Sequence, residues 1–206
     1  MEIIDNKALL LKLRHPRQVT TVIPKSKEVN GKVLVKWGVD ETHVLKNLNI
    51  NVPSPINGRY DWPGQYKPFK HQKTTSAFLT MNRKAFCFNE QGTGKTASAI
   101  WASDFLIKQG IIKRVLVICP LSIMDSAWRN DLFSFAMHRS VDVAYGSADK
   151  RRKIINSGAE YVIINYDGVA IVADAISSGG FDLIIVDEAT HYKNAQTTRW
   201  KTLNKV

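Results

Sequence analysis

From residue 70 onward, short apolar runs alternate with stretches in which apolar positions recur at helical spacing. The runs are continuous and rich in Val and Ile, a pattern typical of strands covered on both faces of a parallel sheet. The pattern predicts strands at 86–88, 114–119, 141–145, 161–164 and 183–186, and helices at 70–81, 96–109, 122–135, 148–156 and 168–177. This alternation predicts an α/β fold with a parallel sheet flanked by helices.

The first 58 residues have a different pattern. Residues 8–13 suit a strand, and Asn30-Gly31 between strand-like flanks predicts a hairpin. Asp40 is placed to cap a short helix, and the Pro-containing segment 52–58 is expected to be a linker without regular structure. We therefore predict a small β-β-α accessory unit at 1–58, followed by the α/β lobe at 59–206.

A phosphate-binding loop is predicted at residues 89–96, which read Asn-Glu-Gln-Gly-Thr-Gly-Lys-Thr between a predicted strand and a predicted helix. Gly92 and Gly94 allow backbone N–H groups to close around phosphate oxygens, and the helix that follows favours anions at its N-terminus. Lys95 supplies a positive charge for the β- and γ-phosphates, and the Thr96 hydroxyl can join a Mg²⁺ shell. Asn89 stands where the consensus has glycine.

Two adjacent carboxylates follow the last predicted strand. Asp187 and Glu188 come directly after the apolar run at 183–186, at the sheet edge where open α/β folds bind their ligands. Asp187 is suited to hold Mg²⁺, and Glu188 is suited to orient and deprotonate an attacking water.

The composition indicates a packed protein with a polyanionic partner. Of its 206 residues, 44% are hydrophobic, and 29 Lys and Arg face 18 Asp and Glu, for a net charge of +11. Such an excess favours nucleic acid as a partner. Cys87 and Cys119 fall in or beside predicted strands and indicate core thiols in a reducing compartment. The sequence contains neither a signal peptide nor an apolar run of membrane-spanning length, so we expect no membrane association and a cytoplasmic location.

Four segments, taken in order, resemble the first motor lobe of Swi/Snf-type ATPases, in the second helicase superfamily. Residues 89–96 are similar to that family's Asp-Glu-Met-Gly-Leu-Gly-Lys-Thr, and 115–122 with Trp128 resemble its Cys-Pro-Leu-Ser segment and the Trp that follows. Residues 162–167 resemble Thr-Thr/Ser-Tyr-Glu, and 187–194 resemble Asp-Glu-x-His-x-x-Lys-Asn with one extra residue before His191. The likeness covers about residues 66–206, and the N-terminal part most resembles a phage and bacterial branch.

The resemblance implies a RecA-like lobe of an ATP-dependent motor that translocates on double-stranded DNA in replication, repair or recombination. It implies that Gln72 reads adenine, that Lys95 and Glu188 are catalytic, that Thr96 and Asp187 hold Mg²⁺, and that residues 90–96 bind ATP (Glu90, Gln91, Gly92, Thr93, Gly94, Lys95, Thr96). DNA is expected to be bound through its backbone, with Ser122 and backbone N–H groups at the strand ends as candidates.

Motors of this kind act with a second RecA-like lobe. The sequence ends fifteen residues after His191. We therefore expect a fragment with little ATP hydrolysis of its own.

Alternative interpretations stay open. The parent protein could be an RNA helicase or a restriction-type motor subunit, or this chain could be a non-catalytic module that binds DNA or another protein. Trp128 suits either DNA contact or helix packing. The basic run Lys150-Arg151-Arg152-Lys153 suits either phosphate contact or the solvated start of a helix.

Overall fold

The computed structural model of the chain describes residues 1–192 and 196–203, and the chain divides into two compact units. The first unit comprises residues 1–61 and 69–93, and the second comprises 62–68 and 94–206. Each unit is assembled from two stretches of chain. The predicted division into an accessory unit at 1–58 and an α/β lobe at 59–206 stays a prediction.

The first unit is built on a four-stranded antiparallel sheet in the order β1-β2-β4-β3. Its core lies on one face of the sheet, because Leu9 pairs with Val35 and Leu11 with Val33, and all four are buried together with residues of α1 and α2. The elements are β1 (Glu2–Ile4), β2 (Ala8–Leu11), α1 (Pro16–Val22), β3 (Lys27–Val29), β4 (Lys32–Lys36), α2 (Val39–Asn47), α3 (Ile56–Arg59) and α4 (Lys70–Thr80).

The hairpin predicted at Asn30-Gly31 is confirmed. Both residues have positive φ, 50° for Asn30 and 70° for Gly31, and they join β3 to the antiparallel β4. Positive φ at both positions is the signature of a type I′ turn, whose twist matches that of the flanking strands. The predicted β-β-α unit is thus present, with β1 and α1 as additional elements that the pattern did not indicate.

The second unit is built on a four-stranded parallel sheet in the order β6-β7-β5-β8. Every residue of β5 and β7 is buried, as the continuous apolar runs predict. The elements are α5 (Lys95–Lys108), β5 (Val115–Cys119), α6 (Asn130–Phe135), β6 (Val141–Val143), α7 (Ala148–Ile155), β7 (Tyr161–Asn165), α8 (Tyr166–Ile171), α9 (Ala173–Ser178), β8 (Leu183–Val186) and α10 (Thr198–Leu203).

Helices cover both faces of this sheet. Alternate strand residues such as Leu116 and Val162 form one core with α7, α8 and α9, and those on the opposite face, such as Val117 and Ile163, form a second core that includes α5 and α6. The α/β prediction is confirmed.

In the described part of the chain, no helix combines the length and apolar character needed to cross a membrane.

The strand predicted at 86–88 is wrong. These residues form no regular element, and Phe86 and Phe88 are 73% and 88% exposed. A strand exists only when a neighbour supplies its hydrogen bonds. Among the residues that the structure describes, none pairs with this segment, and an apolar triplet cannot form a strand by propensity.

Three other predicted boundaries are corrected. The helix predicted at 122–135 is a 3₁₀ turn (Leu121–Ile123), a π-helical segment (Met124–Arg129) and then α6. Helix α2 begins after Gly38, so Asp40 lies in its first turn and does not cap it. The predicted linker at 52–58 contains the start of α3, because Pro55 supplies a helical φ of −62° at the N-cap.

Candidate nucleotide site

The predicted phosphate loop leads directly into the longest helix of the second unit. Gly92 and Gly94 have φ of 75° and 73°, the left-handed region that glycine adopts without strain. A Cβ at Gly92 would meet nothing within 4 Å. Glycine is therefore favoured there by the backbone conformation and not by a close neighbour. Lys95 is the first residue of α5. The loop therefore has the backbone geometry that presents N–H groups and a helix N-terminus to an anion.

Hydrogen bonds hold each side of this loop. The Thr93 hydroxyl donates to the Glu90 carbonyl oxygen at 2.7 Å. On the helix side, the Ser98 hydroxyl and Ser98 N–H both donate to the Gly94 carbonyl oxygen, at 3.0 and 3.1 Å. The carbonyl oxygens of Glu90 and Gly94 thus have hydrogen-bond donors within the chain, which fixes the backbone on each side of the loop.

Gln72 is 8% exposed and ties the start of α4 to the loop. Its side-chain oxygen accepts from the Phe69 N–H at 2.9 Å, and its amide nitrogen donates to the Thr93 carbonyl oxygen at 3.4 Å. His71 Nε2 lies 3.0 Å from the same carbonyl oxygen. A primary amide has two N–H groups, so Gln72 retains one for a base edge. Its predicted role with adenine stays a prediction.

An open cleft of about 720 Å³ lies beside this part of the loop, within the first unit. Its polar lining combines the first turns of α4 with the loop: Lys70, His71, Thr74, Thr75, Asn89, Glu90 and Thr93.

The carboxylate of Asp187 is held in a fixed orientation at the carboxyl end of β8. Its Oδ1 accepts from the Glu188 N–H at 2.9 Å, and its Oδ2 accepts from the Trp128 indole N–H at 2.8 Å. The Asp187 N–H donates to the Ile118 carbonyl oxygen at 2.9 Å, and the Tyr166 hydroxyl donates to the Asp187 carbonyl oxygen. Side chain and backbone are therefore both anchored at the end of the sheet.

The two carboxylates create a negative potential that reaches the neighbouring strand. Burial, and to a smaller extent the charges of Asp187 and Glu188, together raise the pKa of the Cys119 thiol to about 12. Cys119 is fully buried and stays protonated at physiological pH. A site with this potential favours a cation.

The donor set suits Mg²⁺ bound together with a nucleotide. Among the described residues, no cluster of three or more His, Cys, Asp or Glu could hold a metal by itself. Thr96 and Asp187 belong to the same unit and offer a hydroxyl and a carboxylate oxygen. Mg²⁺ typically takes one or two protein oxygens and completes its shell with phosphates and water. Thr96 and Asp187 are therefore suitable ligands for a Mg²⁺ ion bound together with a nucleotide.

The predicted site residues are distributed over both units. The first unit contains Gln72, Glu90, Gln91, Gly92 and Thr93, and the second contains Gly94, Lys95, Thr96, Asp187 and Glu188. The side chain of His191, and the residues Lys193 and Asn194, lie outside what the structure describes.

Sequence reasoning missed that Trp128 contacts Asp187. The packing interpretation of Trp128 is confirmed, because it is 2% exposed in the core beneath the sheet. Its indole N–H also reaches a residue 59 positions away, and no local pattern could have indicated that pair.

The basic run at 150–153 lies in α7, as the helix interpretation predicts. Arg151 is 5% exposed and donates to the Ala144 carbonyl oxygen at 2.6 Å and to Asn165 Oδ1 at 3.0 Å. Arg152 contacts Asp174 at 3.2 Å. The run is therefore helical as predicted but is not solvated throughout, because Arg151 is buried, and both arginines make contacts within the protein.

Comparison with known proteins identifies the family. The model of the SNF2-related domain matches residues 66–206. Protein p41 of Acyrthosiphon pisum secondary endosymbiont phage 1 is 32% identical over 108 residues, 50% of this chain and 24% of that protein. The chicken DNA repair and recombination protein RAD54-like is 25% identical over 173 residues, 75% of this chain and 24% of that protein. The chain thus spans about a quarter of the length of these relatives.

The fold matches as well. The Sulfolobus solfataricus SWI2/SNF2 ATPase core, solved in complex with double-stranded DNA, superimposes with a TM-score of 0.63 over 70% of this chain and 31% of that one, at 23% identity. The motif resemblance, the fold and the family match agree. The chain belongs to the SNF2-related domain family.

Proposed function

We propose that this chain is the ATP-binding lobe of a motor that translocates on double-stranded DNA in replication, repair or recombination. The observation that carries the proposal is the loop at 89–94, with Gly92 and Gly94 at positive φ directly before Lys95 at the start of α5. A helix of fourteen residues provides the dipole and the N-terminal N–H groups that favour a triphosphate.

In this proposal, Lys95 binds the β- and γ-phosphates and Thr96 and Asp187 hold Mg²⁺. A Mg²⁺ ion held by these two residues would supply positive charge to the phosphate oxygens. Glu188 is exposed and acts as the general base, accepting the proton of the attacking water. Gln72 presents its second amide N–H to adenine.

The DNA partner is supported by the net charge of +11, by the family, and by the exposed turn at Leu121 and Ser122 that ends β5. Contacts there would be to the phosphate backbone and would not read bases. The relatives act as much longer proteins, and we propose that turnover requires a second RecA-like lobe. We also propose a location in the cytoplasm of a bacterial or phage-infected cell, which the similarity to a phage protein supports.

The test is calorimetric titration of the chain with ATP and Mg²⁺, for wild type and Lys95→Ala. Lys113→Ala is the matched control, because it removes the same charge from an exposed position at the amino end of β5. Since hydrogen bonds to charged groups contribute about 1.5–3 kcal/mol, we expect Lys95→Ala to weaken binding by roughly tenfold to a hundredfold. Lys113→Ala should bind as wild type does.

The same titration discriminates among the alternatives. If the wild type does not bind ATP, or if Lys95→Ala binds equally well, the nucleotide site is refuted and the non-catalytic module gains support. Competition between double-stranded DNA and RNA of equal length, at several salt concentrations, separates a DNA motor from an RNA helicase. Equal or stronger RNA binding contradicts the proposed substrate.

A further inference from the structure

A π-helical segment lies between the exposed turn that ends β5 and helix α6. It spans Met124–Arg129, and π-helical turns of this kind are rare and recur at functional sites. Met124 and Trp128 are both 2% exposed and pack in the core beneath the sheet. The segment therefore directs a large aromatic side chain inward, directly below the strand ends.

The inward side chain reaches the candidate metal ligand. Trp128 Nε1 donates to Asp187 Oδ2 at 2.8 Å, while Asp187 Oδ1 accepts from the Glu188 N–H at 2.9 Å. With one donor on each oxygen, rotation of the carboxylate about its Cβ–Cγ bond breaks both bonds. An ionised carboxylate has about four lone-pair sites, so each oxygen keeps one for a cation.

We propose that Trp128 is the positioning residue that orients the Asp187 carboxylate toward Mg²⁺. The proposal rests on the proposed function, since it assigns Asp187 to the metal of a bound nucleotide. Metal ligands are commonly oriented by a hydrogen bond from a neighbouring group, and loss of that bond typically lowers metal affinity by about 10–100-fold.

A hydrogen bond also joins the exposed turn to the segment that carries Trp128. Leu121 is 53% exposed, and Ser126 within the π-helical segment donates from its hydroxyl to the Ser122 carbonyl oxygen at 2.8 Å.

The test compares Trp128→Phe with Trp101→Phe in the full chain. Phenylalanine keeps an aromatic ring but removes the N–H. Trp101 is an equivalent control, because it is 1% exposed in the same unit and its indole N–H donates to the Pro63 carbonyl oxygen at 3.0 Å. For each variant, ATP affinity is measured by calorimetry with Mg²⁺ and with EDTA.

We expect Trp128→Phe to reduce the Mg²⁺-dependent gain in ATP affinity by on the order of tenfold, with unchanged affinity in EDTA. Trp101→Phe should keep the full gain. In an Asp187→Asn background, Trp128→Phe should cause no further loss, because the two changes remove one interaction. A full gain in Trp128→Phe, or equal losses in both tryptophan variants, overturns the proposal.

A second measurement separates this inference from the proposed function and does not require that Trp128→Phe folds. In NMR spectra of the wild type and Asp187→Asn, the Trp128 indole N–H resonance should move on loss of the carboxylate charge, and that of Trp101 should stay. If the wild type fails to bind ATP while the Trp128 resonance moves, the function is refuted but the positioning contact stands. If the resonance does not move, the positioning role is wrong whatever the nucleotide does.

Discussion

Replacing Asp104 by alanine should destabilise the second unit strongly. Asp104 is 1% exposed in α5, and its Oδ1 accepts from Arg139 Nε at 2.5 Å and lies 2.9 Å from His138 Nε2. Arg139 also donates to Glu160 Oε1 at 2.6 Å. Burial lowers the pKa of Arg139, but its hydrogen bonds and ion pairs with Asp104 and Glu160 outweigh this and raise it, so the guanidinium stays charged.

The loss in free energy of unfolding arises because Arg139 loses its ion pair with Asp104. Removing one member of a buried ion pair costs about 3–5 kcal/mol, because the other charge is left without compensation. The Arg139 side chain is 13% exposed and keeps Glu160, so we expect the lower end, about 3 kcal/mol. With a urea slope of about 2–3 kcal/mol per molar, the midpoint of unfolding should fall by roughly 1–1.5 M.

The assay is urea unfolding followed by tryptophan fluorescence and far-ultraviolet circular dichroism. Asp174→Ala is the control, since it removes an equal carboxylate whose contact with Arg152 is solvated, with side chains 68% and 39% exposed. Exposed ion pairs contribute little, so that midpoint should stay near the wild-type value. If Asp104→Ala shifts the midpoint no more than Asp174→Ala does, the reasoning is refuted, and Glu160 by itself compensates the arginine.

Three further predictions concern single side chains. Gly31→Ala should cost roughly 1–2 kcal/mol in urea unfolding, because φ is 70° and the new Cβ meets nothing within 4 Å, so the penalty lies in the backbone; an unchanged midpoint contradicts it. Burial lowers the pKa of His43 below its usual 6.5, so the unfolded chain binds more protons near that pH and stability should fall as the pH drops through 6.5. His43→Gln should flatten this slope between pH 8 and 5, and an identical slope would be evidence against it. With a thiol pKa of about 12 and full burial, Cys119 should resist maleimide at pH 8 while half-buried Cys87 reacts. Equal labelling of the two thiols in the folded protein would contradict the burial of Cys119.

The strands of the parallel sheet could be predicted because each is specified by its own residues. Val115–Cys119 and Tyr161–Asn165 are buried on both faces, and a continuous apolar run is the local consequence of that environment. The loop and the start of α5 were predictable for the same reason, since Gly92 and Gly94 are required by the backbone at their own positions.

Features that depend on distant partners could not be predicted. Residues 86–88 have strand composition, yet a strand needs a neighbour, and composition does not reveal whether one is present. The π-helical turn at Met124–Arg129 resembles an ordinary amphipathic helix in its apolar spacing. The bond from Trp128 to Asp187 joins two motifs whose proximity exists only after the sheet has formed.

Glu188 has a φ of 50°, in the left-handed region that a residue with a Cβ enters at a cost of roughly 1–2 kcal/mol. Glycine would relieve that strain and would also remove the carboxylate proposed as the general base. At this position, folding and chemistry therefore favour different residues. A search for thermostable variants that scored only the unfolding temperature would tend to recover Glu188→Gly. Such a variant would unfold at a higher temperature but would lack the carboxylate proposed as the general base.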